Sequence, residues 1–437
     1  MNFPYFIARK VATSKSADGQ SSFSRLIIRI AIVAVALSVS VMILTTALIR
    51  GFKNEIRTKI FGFFGHIHIT DTDAIGSMLD AYPIDLRQNF YPDLDTIGKI
   101  EYLDQYLLFG RPFGQPFTKT TSGGIRHIQS FAVKPGVIKT QDAMEGIILK
   151  GVNRDFDWKF MKKYLIRGDT LQWSDTSMSR QVIISEQTAN RLQIDTGASF
   201  VINFVERGNV VARKLNVVGI YRTGLDEYDK RFALVDIRQV QRLLGWSEYQ
   251  VAGFEVFLDD IGDIGLFAEY IYNQVLPNTM YAETIREKFP AIFEWLELQN
   301  INEIVIITLM LVVSIINMIT ALMILILERT NMIGTLKALG TPNWGIRKIF
   351  LYYAAYIVLL GLLWGNLIGL GLGWLQKRFQ FIKLSEADYY LSYAPIEFNF
   401  WTILSLNVGT LLIILLFLLI PSYLVTRIHP VQAIRFK

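Results

Sequence analysis

The sequence contains no cysteine and only four histidines among 437 residues. Without cysteine there is no disulfide framework and no lipid-modified amino-terminal cysteine, so any domain outside the cytoplasm must be stabilised by its own core. The phosphate-binding pattern G-x-x-x-x-G-K-[ST] and the zinc motif H-E-x-x-H are both absent. We therefore expect no enzymatic activity and no bound cofactor in this chain.

A metal site is one possible reading of the pair His66 and His68. Alternating residues of a strand point to the same face, so the two rings would lie side by side. No cysteine or acidic residue stands close to them in the sequence, and tetrahedral metal sites need further ligands. We interpret both histidines as ordinary strand residues and expect no metal.

Charge is missing from three long apolar runs, residues 304–327, 349–375 and 398–426, and a fourth run, 26–49, carries only Arg29. Each is long enough to cross a bilayer, which needs about 20 apolar residues. The first run could be a cleaved signal peptide. We expect a signal anchor instead, because the run is too long for a cleaved leader and no small-x-small site follows it.

Basic residues accumulate on one side of the predicted spans. They outnumber acids before the first span, between the second and third, and after the fourth (Arg9, Lys10, Lys15, Arg25, Arg29; Arg329, Lys337, Arg347, Lys348; Arg427, Arg435, Lys437). The positive-inside rule places these segments in the cytoplasm and residues 51–303 and 376–397 outside it. The net charge of +6 reflects this bias. No basic cluster lies on the large domain, so we expect no nucleic-acid binding.

The region between the first two spans alternates short strand-like and helix-like pieces, which predicts an α+β domain. The fold class is therefore an α-helical membrane protein with four transmembrane helices, one before and three after a large α+β domain. Strand order does not follow from the sequence. Two lobes are expected, with a break near residues 110–125. The predicted elements are strands at 66–70, 182–184, 200–205, 210–220, 232–235 and 254–258, and helices at 185–192, 237–244, 262–275 and 283–303, the last continuing into the second span.

The predicted division of the chain follows from these patterns. It comprises a cytoplasmic interfacial helix (Asn2 to Val11) and loop (Ser14 to Ser24) within 1–25, spans at 26–50, 299–327, 342–376 and 398–426, an extracytoplasmic domain at 51–298, a cytoplasmic helix at 328–341, an outer loop at 377–397 and a tail at 427–437.

The polar segment 328–340, between two apolar runs, is the most informative part of the chain. We predict a short helix with Met332, Leu336 and Leu339 on one face, and with Glu328, Arg329 and Lys337 free to meet a partner or headgroups. Gly340 suits the left-handed residue that ends a helix. Thr341 is expected to cap the next helix, with Pro342 at its first position. A plain intracellular loop is the alternative.

Small and polar residues inside the predicted spans indicate how the spans pack. Gly361, Gly365 and Gly369 recur every four residues, a spacing that lets two helices approach closely in lipid. Asn317 and Asn366 are amides within apolar runs and need partners, either across helices or along a polar path.

Several segments together resemble the FtsX-like ABC permeases, and within them the lipoprotein-releasing LolC/LolE family. The 328–340 segment is similar to the family pattern E-[KR]-x-x-x-I-G-x-L-K-A-x-G. The other matching segments run from end to end of the chain: Arg50-Gly51-Phe52, Gly146 to Val152, Gly219 to Asp229, Asp388-Tyr389-Tyr390, Ala394-Pro395 and Pro430 to Arg435.

The resemblance implies a type VII ABC transporter, related in architecture to MacB and FtsX, in the bacterial inner membrane. A separate LolD-like ATPase in two copies would bind ATP and Mg. A second permease, identical or LolC/LolE-like, would complete the transporter. ATP binding would close the ATPase pair and push the helix at 329–339, and lipoproteins would be extracted from the membrane lipid for a periplasmic LolA-like carrier.

The resemblance also assigns candidate site residues. They are an ATPase-coupling set (Glu328, Arg329, Ile333, Gly334, Lys337, Ala338, Gly340), a substrate path between the first two spans (Val41, Met42, Leu44, Met310, Leu311, Ser314) and an outer-domain block (Gly224, Glu227, Tyr228, Asp229).

One departure concerns the carrier. The LolC type captures it with a proline-bearing loop, whereas the matching hairpin here, Asn203 to Lys214, holds no proline. The resemblance therefore does not assign carrier capture to this chain. Two alternatives stay open: a MacB-like exporter, although a fused ATPase domain is missing, and an FtsX-like activator of cell-wall hydrolases, although its outer domain is usually much smaller.

Overall fold

The computed structural model describes residues 4, 6, 21–76, 81–108, 111–139, 144–173, 178–206 and 209–427. Apart from residues 4 and 6, the predicted interfacial helix lies outside these residues, as does the tail beyond residue 427. The helices are α1 (Ser21–Phe64), α2 (Trp158–Tyr164), α3 (Glu186–Leu192), α4 (Asp226–Asp229), α5 (Ile237–Leu244), α6 (Ile264–Tyr270), α7 (Ile285–Lys288), α8 (Pro290–Glu328), α9 (Thr330–Ala338), α10 (Asn343–Phe379), α11 (Glu386–Tyr389), α12 (Phe400–Ser422) and α13 (Leu424–Arg427).

Short and long strands account for the rest of the regular structure. The strands are β1 (Ile67–Asp71), β2 (Ile84–Asp85), β3 (Glu101–Leu108), β4 (Arg111–Thr120), β5 (Ile125–Lys139), β6 (Met144–Val152), β7 (Leu165–Gly168), β8 (Gln181–Ser185), β9 (Ser199–Glu206), β10 (Asn209–Tyr221), β11 (Phe232–Asp236), β12 (Gln250–Val251), β13 (Gly253–Leu258) and β14 (Met280–Thr284).

Four stretches of helix in the described part of the chain are long and apolar enough to cross a membrane: α1, α8, α10 and the run of α12 and α13. They overlap the four predicted spans, although the third and fourth begin one and two residues later than predicted, at Asn343 and Phe400. Two other boundaries were predicted wrongly. Residues 21–24, expected in a loop, already belong to α1. The helix expected from residue 283 begins at Pro290, because residues 280–284 form β14 instead and pair with β1.

The structure divides into two units. The helical unit comprises the described parts of Met1–Asn54, Trp295–Lys383 and Tyr393–Lys437. The sheet unit comprises those of Glu55–Glu294 and Leu384–Ser392. Residues 111–120, within the predicted break between two lobes, form strand β4 of the β3–β4 hairpin, and the sheet unit contains residues from both sides of that break.

Glycines bring α10 close to α1 in the helical unit. A Cβ added at Gly361 would lie 2.7 Å from Val35 Cβ, and one added at Gly365 would lie 2.8 Å from the carbonyl oxygen of Ala36. Gly369 similarly faces Ser40 at 3.2 Å. These contacts confirm the prediction that the glycine stripe serves tight packing, and they show that the first span is its partner.

The first long helix also packs against the chain that leads into α12. A Cβ at Gly51 would lie 2.7 Å from the carbonyl oxygen of Pro395. Glu397 donates its backbone N–H to the carbonyl of Ala47 at 3.0 Å and accepts a hydrogen bond from the Asn54 side chain at 2.6 Å. Two segments that the sequence matched separately to the family, around Gly51 and around Pro395, therefore form one contact.

The sheet unit is built on a ten-stranded mixed sheet in the order β14-β1-β13-β5-β6-β11-β8-β10-β7. Strand β9 pairs with both β10 and β5, so β5, β6, β11, β8, β10 and β9 form a closed ring. Within this ring β6–β11 and β8–β10 are parallel, and the other pairs are antiparallel. The sequence could not give this order, because most partners are far apart along the chain.

Local capping predictions were more successful. Ser185 accepts a hydrogen bond from the backbone N–H of Thr188 and begins α3, and Asp236 accepts one from that of Arg238 and begins α5. The helix predicted at 262–275 is divided into a 3₁₀ turn, the helix α6 and a π-helical turn, Ile271–Val275.

A buried cluster of charged and polar side chains is formed by strands β1, β6 and β13 of the main sheet. Lys150 Nζ lies 2.6 Å from Glu255 Oε1 and donates to the carbonyl of Phe63 at 2.7 Å. His68 Nε2 donates to the carbonyl of Phe64 at 2.6 Å. Phe63 and Phe64 end α1, where carbonyls lack partners within the helix, so Lys150 and His68 satisfy them.

Burial determines the charge of His68 in this cluster. It holds the pKa of His68 well below its usual value, and the nearby Lys288 charge acts in the same direction. The ring is therefore neutral, with Nε2 donating to Phe64 and Nδ1 lying 3.2 Å from Lys288 Nζ. His66, the other member of the pair, accepts the backbone N–H of Leu258 at Nδ1. Both histidines are buried. His68 lies in β1, as expected of a strand residue, but β1 begins at Ile67, so His66 precedes the strand and its assignment to it was wrong.

Candidate functional site

The 328–340 segment contains the short helix α9, which ends in a Schellman motif. Gly340 has a left-handed backbone (φ +86°), as predicted. Its N–H donates to the carbonyl of Lys337, and the N–H of Thr341 donates to that of Leu336, both at 3.0 Å. The cap of the following helix was predicted wrongly: Pro342, not Thr341, occupies the N-cap of α10, which has no side-chain cap.

One face of α9 is buried. Ile333 and Gly334 are buried, and Ile333 belongs to an apolar cluster with Ile346 and Phe350 of α10. Met332 and Leu336 pack at the edge of the same cluster. The predicted apolar face was therefore correct for these two residues.

The opposite face of this segment is exposed. Glu328, Asn331, Thr335, Ala338 and Leu339 follow one another at helical spacing and are exposed. Leu339 is 77% exposed, so its assignment to the buried face was wrong. We call these five residues the exposed stripe.

Lys337 does not lie free on the surface, as the sequence had predicted. Its Nζ donates to the carbonyl oxygen of Thr426 in α13 at 3.1 Å. The cause is the position of α9, which brings Lys337 to the end of the last helix, where carbonyls have no intrahelical partner. Arg329 is half-buried, and of the three charged residues only Glu328 is exposed.

Arg347 makes a second connection to the last long helix. It donates from Nη2 to the carbonyl of Leu419 and from Nε to Ser422 Oγ, both at 3.1 Å. Pro421 lies inside this helix end and provides no backbone N–H. Lys337 and Arg347 together join the 328–348 region to the end of α12 and α13.

An amide pair joins α10 and α12. Asn366 Nδ2 donates to Asn407 Oδ1 at 2.6 Å, and Asn407 Nδ2 donates to Asn366 Oδ1 at 3.0 Å. The sequence predicted a partner for Asn366 but did not find Asn407. Asn317, the other amide, is half-buried in α8.

The proposed substrate-path residues lie inside or against the apolar core of the helical unit. Met42 and Ser314 are 1% and 0% exposed. Met310 and Leu311 pack against the same core, and Val41 and Leu44 are half-buried. Any ligand reaching Met42 or Ser314 would first have to separate the packed helices.

The outer-domain block forms a self-contained turn in the sheet unit. Asp229 is buried and accepts hydrogen bonds from the backbone N–H groups of Thr223 and Gly224, each at 3.0 Å. Burial raises the pKa of Asp229 to about 6. Gly224 has a left-handed backbone (φ +78°), which glycine adopts without strain.

The other two residues of this block have different roles. Tyr228 packs edge-on against Phe64 and Phe289, with ring centroids 5.2 and 5.4 Å apart. Glu227 pairs with Arg231 at the surface, 3.1 Å apart. The block therefore shapes and anchors a turn, and its buried members are structural.

Sequence reasoning missed Asn407, Arg347, Lys150 and Glu255. The presence of Asn407 within the fourth apolar run is a usable signal, because an amide in another span is a natural partner for Asn366. Lys150 and Glu255 stand in strands that the sequence recognised, but no local pattern pairs them. Their pairing depends on strand order.

Comparisons with known proteins agree with this architecture. A family model described as FtsX-like permease C-terminal matches residues 304–430, which include α9, α10 and α12. The chain is 22% identical over 451 residues to the lipoprotein-releasing system transmembrane protein LolC of Haemophilus influenzae, across 100% of both chains. It is 20% identical over 436 residues to LolC of Xylella fastidiosa, across 96% of both.

LolE of Haemophilus influenzae is also similar, with 20% identity over 463 residues and 99% of each chain covered. Among solved structures, the extracellular domain of the noncanonic ABC-type transporter YknZ from Gram-positive bacteria aligns with 37% of this chain and 82% of its own, at 17% identity and a TM-score of 0.26. That TM-score supports no inference. The chain is therefore similar to LolC and LolE along nearly its whole length, and its residues 304–430 match the FtsX-like permease model.

Proposed function

We propose that this chain is the permease subunit of a type VII ABC transporter that extracts lipoproteins from the bacterial inner membrane and passes them to a periplasmic LolA-like carrier. The sheet unit would lie in the periplasm and the 328–340 segment in the cytoplasm, in line with the distribution of basic residues. Two copies of a LolD-like ATPase would bind ATP and Mg. A second permease, identical or LolC/LolE-like, would complete the transporter.

The observation that carries the proposal is similarity over nearly the whole length of LolC and LolE, in both the helical and the sheet regions. Lipoprotein release stands in the names of those relatives. The geometry of α9 supports a coupling role, because a buried face tied to α10 and an exposed stripe ending at Leu339 suit a helix that receives a push from a partner.

Extraction of a lipoprotein needs an external source of work. Each buried acyl methylene contributes about 0.8 kcal/mol, so a protein held by several acyl chains does not leave the bilayer unaided. In the proposed cycle, closure of the ATPase pair moves the coupling residues Glu328, Ile333, Gly334 and Ala338. The helices then move against one another, and the acyl chains leave a path near Met42 and Met310.

Depletion of the chain in its native cell tests this function. We expect lipoproteins destined for the outer membrane to accumulate in the inner membrane, as measured by membrane fractionation. An unchanged distribution would refute the proposal. Loss of cell-wall hydrolase activation with normal lipoprotein sorting would favour the FtsX-like alternative, and binding to a periplasmic adaptor protein would favour the MacB-like one.

A further inference from the structure

The 384–392 loop lies between α10 and α12 in the sequence but belongs to the sheet unit, whereas Lys383 and Tyr393 on either side belong to the helical unit. Its ends are joined by a hydrogen bond from the N–H of Leu384 to the carbonyl of Ser392 at 3.0 Å. The short helix α11 lies inside it and contacts α4 of the outer-domain block.

A two-pronged ion pair holds the beginning of this loop. Arg222 donates to Glu386 from Nη2 to Oε1 at 2.7 Å and from Nε to Oε2 at 3.1 Å. Arg222 Nη1 also donates to Glu186 at 3.1 Å. The Arg222 backbone is fixed in turn, since its N–H donates to the carbonyl of Tyr164 at 2.9 Å. A planar guanidinium with both carboxylate oxygens in reach gives a specific orientation.

A buried lysine holds the other end of α11. Lys59 Nζ donates to the carbonyl of Tyr390 at 3.1 Å. Lys59 is itself buried. The next residue of the loop, Leu391, is buried. The loop is therefore anchored by a charge pair, a backbone carbonyl and an apolar side chain.

Gly224 provides the space for this contact. A Cβ there would lie 2.9 Å from Lys59 Nζ and 3.6 Å from the carbonyl oxygen of Tyr390. Asp229 holds Gly224 in place through its backbone N–H. The outer-domain block thus has a use that its own hydrogen bonds do not explain: it forms one wall of the site that receives the loop.

We propose that Lys59, Arg222 and Gly224 form a binding site for the 384–392 loop, so that the connection between the third and fourth long helices moves together with the sheet unit during transport. The inference rests on the proposed transport function. Arg222 and Glu386 are positioning residues.

A double-mutant cycle with Arg222→Met and Glu386→Gln tests the site, because both changes remove charge without adding repulsion. The matched control is Arg167→Met with Asp195→Asn, an exposed ion pair of the sheet unit that lies outside the outer-domain block. The full transporter is reconstituted in proteoliposomes, and the purified chain is also placed in nanodiscs. The readouts are hydrogen exchange of the 384–392 amides and the number of ATP molecules hydrolysed per lipoprotein released.

We expect each single variant to speed exchange in the loop and to raise the ATP consumed per lipoprotein roughly threefold to tenfold, with no further change in the double variant. The control pair should match wild type. Unchanged loop exchange would refute the binding site. Faster exchange with an unchanged ATP ratio would refute its role in transport. A wild-type transporter that releases no lipoprotein would instead refute the proposed function, and the exchange result would still decide whether the site exists.

Discussion

Lys337 Nζ and the carbonyl oxygen of Thr426 form a hydrogen bond of 3.1 Å, which joins α9 to the end of the last helix. Lys337 belongs to the segment that resembles the family's coupling pattern, yet it is half-buried and binds the end of the chain's own last helix. A push on α9 would therefore reach α12 and α13 as well as the directly attached α8 and α10.

We expect Lys337→Met to remove the only charge in this contact and leave the Thr426 carbonyl without its lysine donor. The reconstituted transporter should still bind its ATPase but release fewer lipoproteins per ATP, by about threefold to tenfold. Lys337→Arg, which keeps a donor, should recover part of the loss. If the wild type and both variants release equal numbers of lipoproteins per ATP, the contact between Lys337 and Thr426 has no role in transport.

The exposed stripe predicts where the ATPase docks. Leu339 is 77% exposed at the end of α9, and Leu103 of the β3–β4 hairpin is 75% exposed in the sheet unit. Leu339→Glu should weaken binding of the ATPase by about tenfold or more, because interface centres disfavour charge. Leu103→Glu is the matched control and should bind as wild type. The affinities for the ATPase are measured by co-purification and titration. Equal affinities of the two variants would contradict binding of the ATPase at the exposed stripe.

Packing of α10 against α1 gives a stability prediction with an internal control. Gly365→Ala places a methyl 2.8 Å from the Ala36 carbonyl oxygen, whereas Gly371→Ala places one where no atom lies within 4 Å. Overpacking should lower the free energy of unfolding by about 1–3 kcal/mol in the first variant. The second should be neutral or slightly stabilised by helix propensity. Thermal unfolding in detergent compares the two, and equal melting temperatures would contradict the packing.

His66 predicts a pH dependence of stability. Burial, assisted by the Arg126 charge, lowers the pKa of His66 to about 4 in the folded chain. Between this value and the usual 6.5, the unfolded chain binds the proton more tightly. The contribution of neutral His66 to the free energy of unfolding is therefore complete above pH 6.5. It is lost as the pH falls towards 4, by up to about 3 kcal/mol.

His66→Asn tests this dependence, because the asparagine oxygen can still accept the Leu258 N–H. We expect chemical denaturation of the variant to lose less stability between pH 7 and pH 5 than that of the wild type. Identical slopes for the two proteins would refute the assignment.

Local features were predictable from the sequence, and features that depend on distant partners were not. The caps at Ser185 and Asp236 and the left-handed Gly340 follow from neighbouring residues, and the structure has them where they were predicted. The orientation of α9 was predicted only in part. Ile333 lies on the side of α9 that packs into the apolar core, whereas Leu339 lies on the exposed side.

Partners separated by long stretches of chain escaped prediction for the same reason. Lys150 meets Glu255, and Asn366 meets Asn407, only because strand order and helix packing bring them together. The family resemblance supplied the coupling residues as a set, but it could not say which of them point outward. The structure separates Lys337, which faces the chain itself, from the exposed stripe.

The most direct test of the central claim is ATP-dependent lipoprotein release from proteoliposomes that contain this chain, its ATPase and any second permease encoded beside it. A triacylated lipoprotein is the substrate, and a soluble carrier receives it. We predict transfer to the carrier that requires ATP and is lost in Gly334→Trp and Glu328→Arg, although both variants insert and bind lipid normally. Release without ATP, or no release by a complex that hydrolyses ATP, would contradict the account.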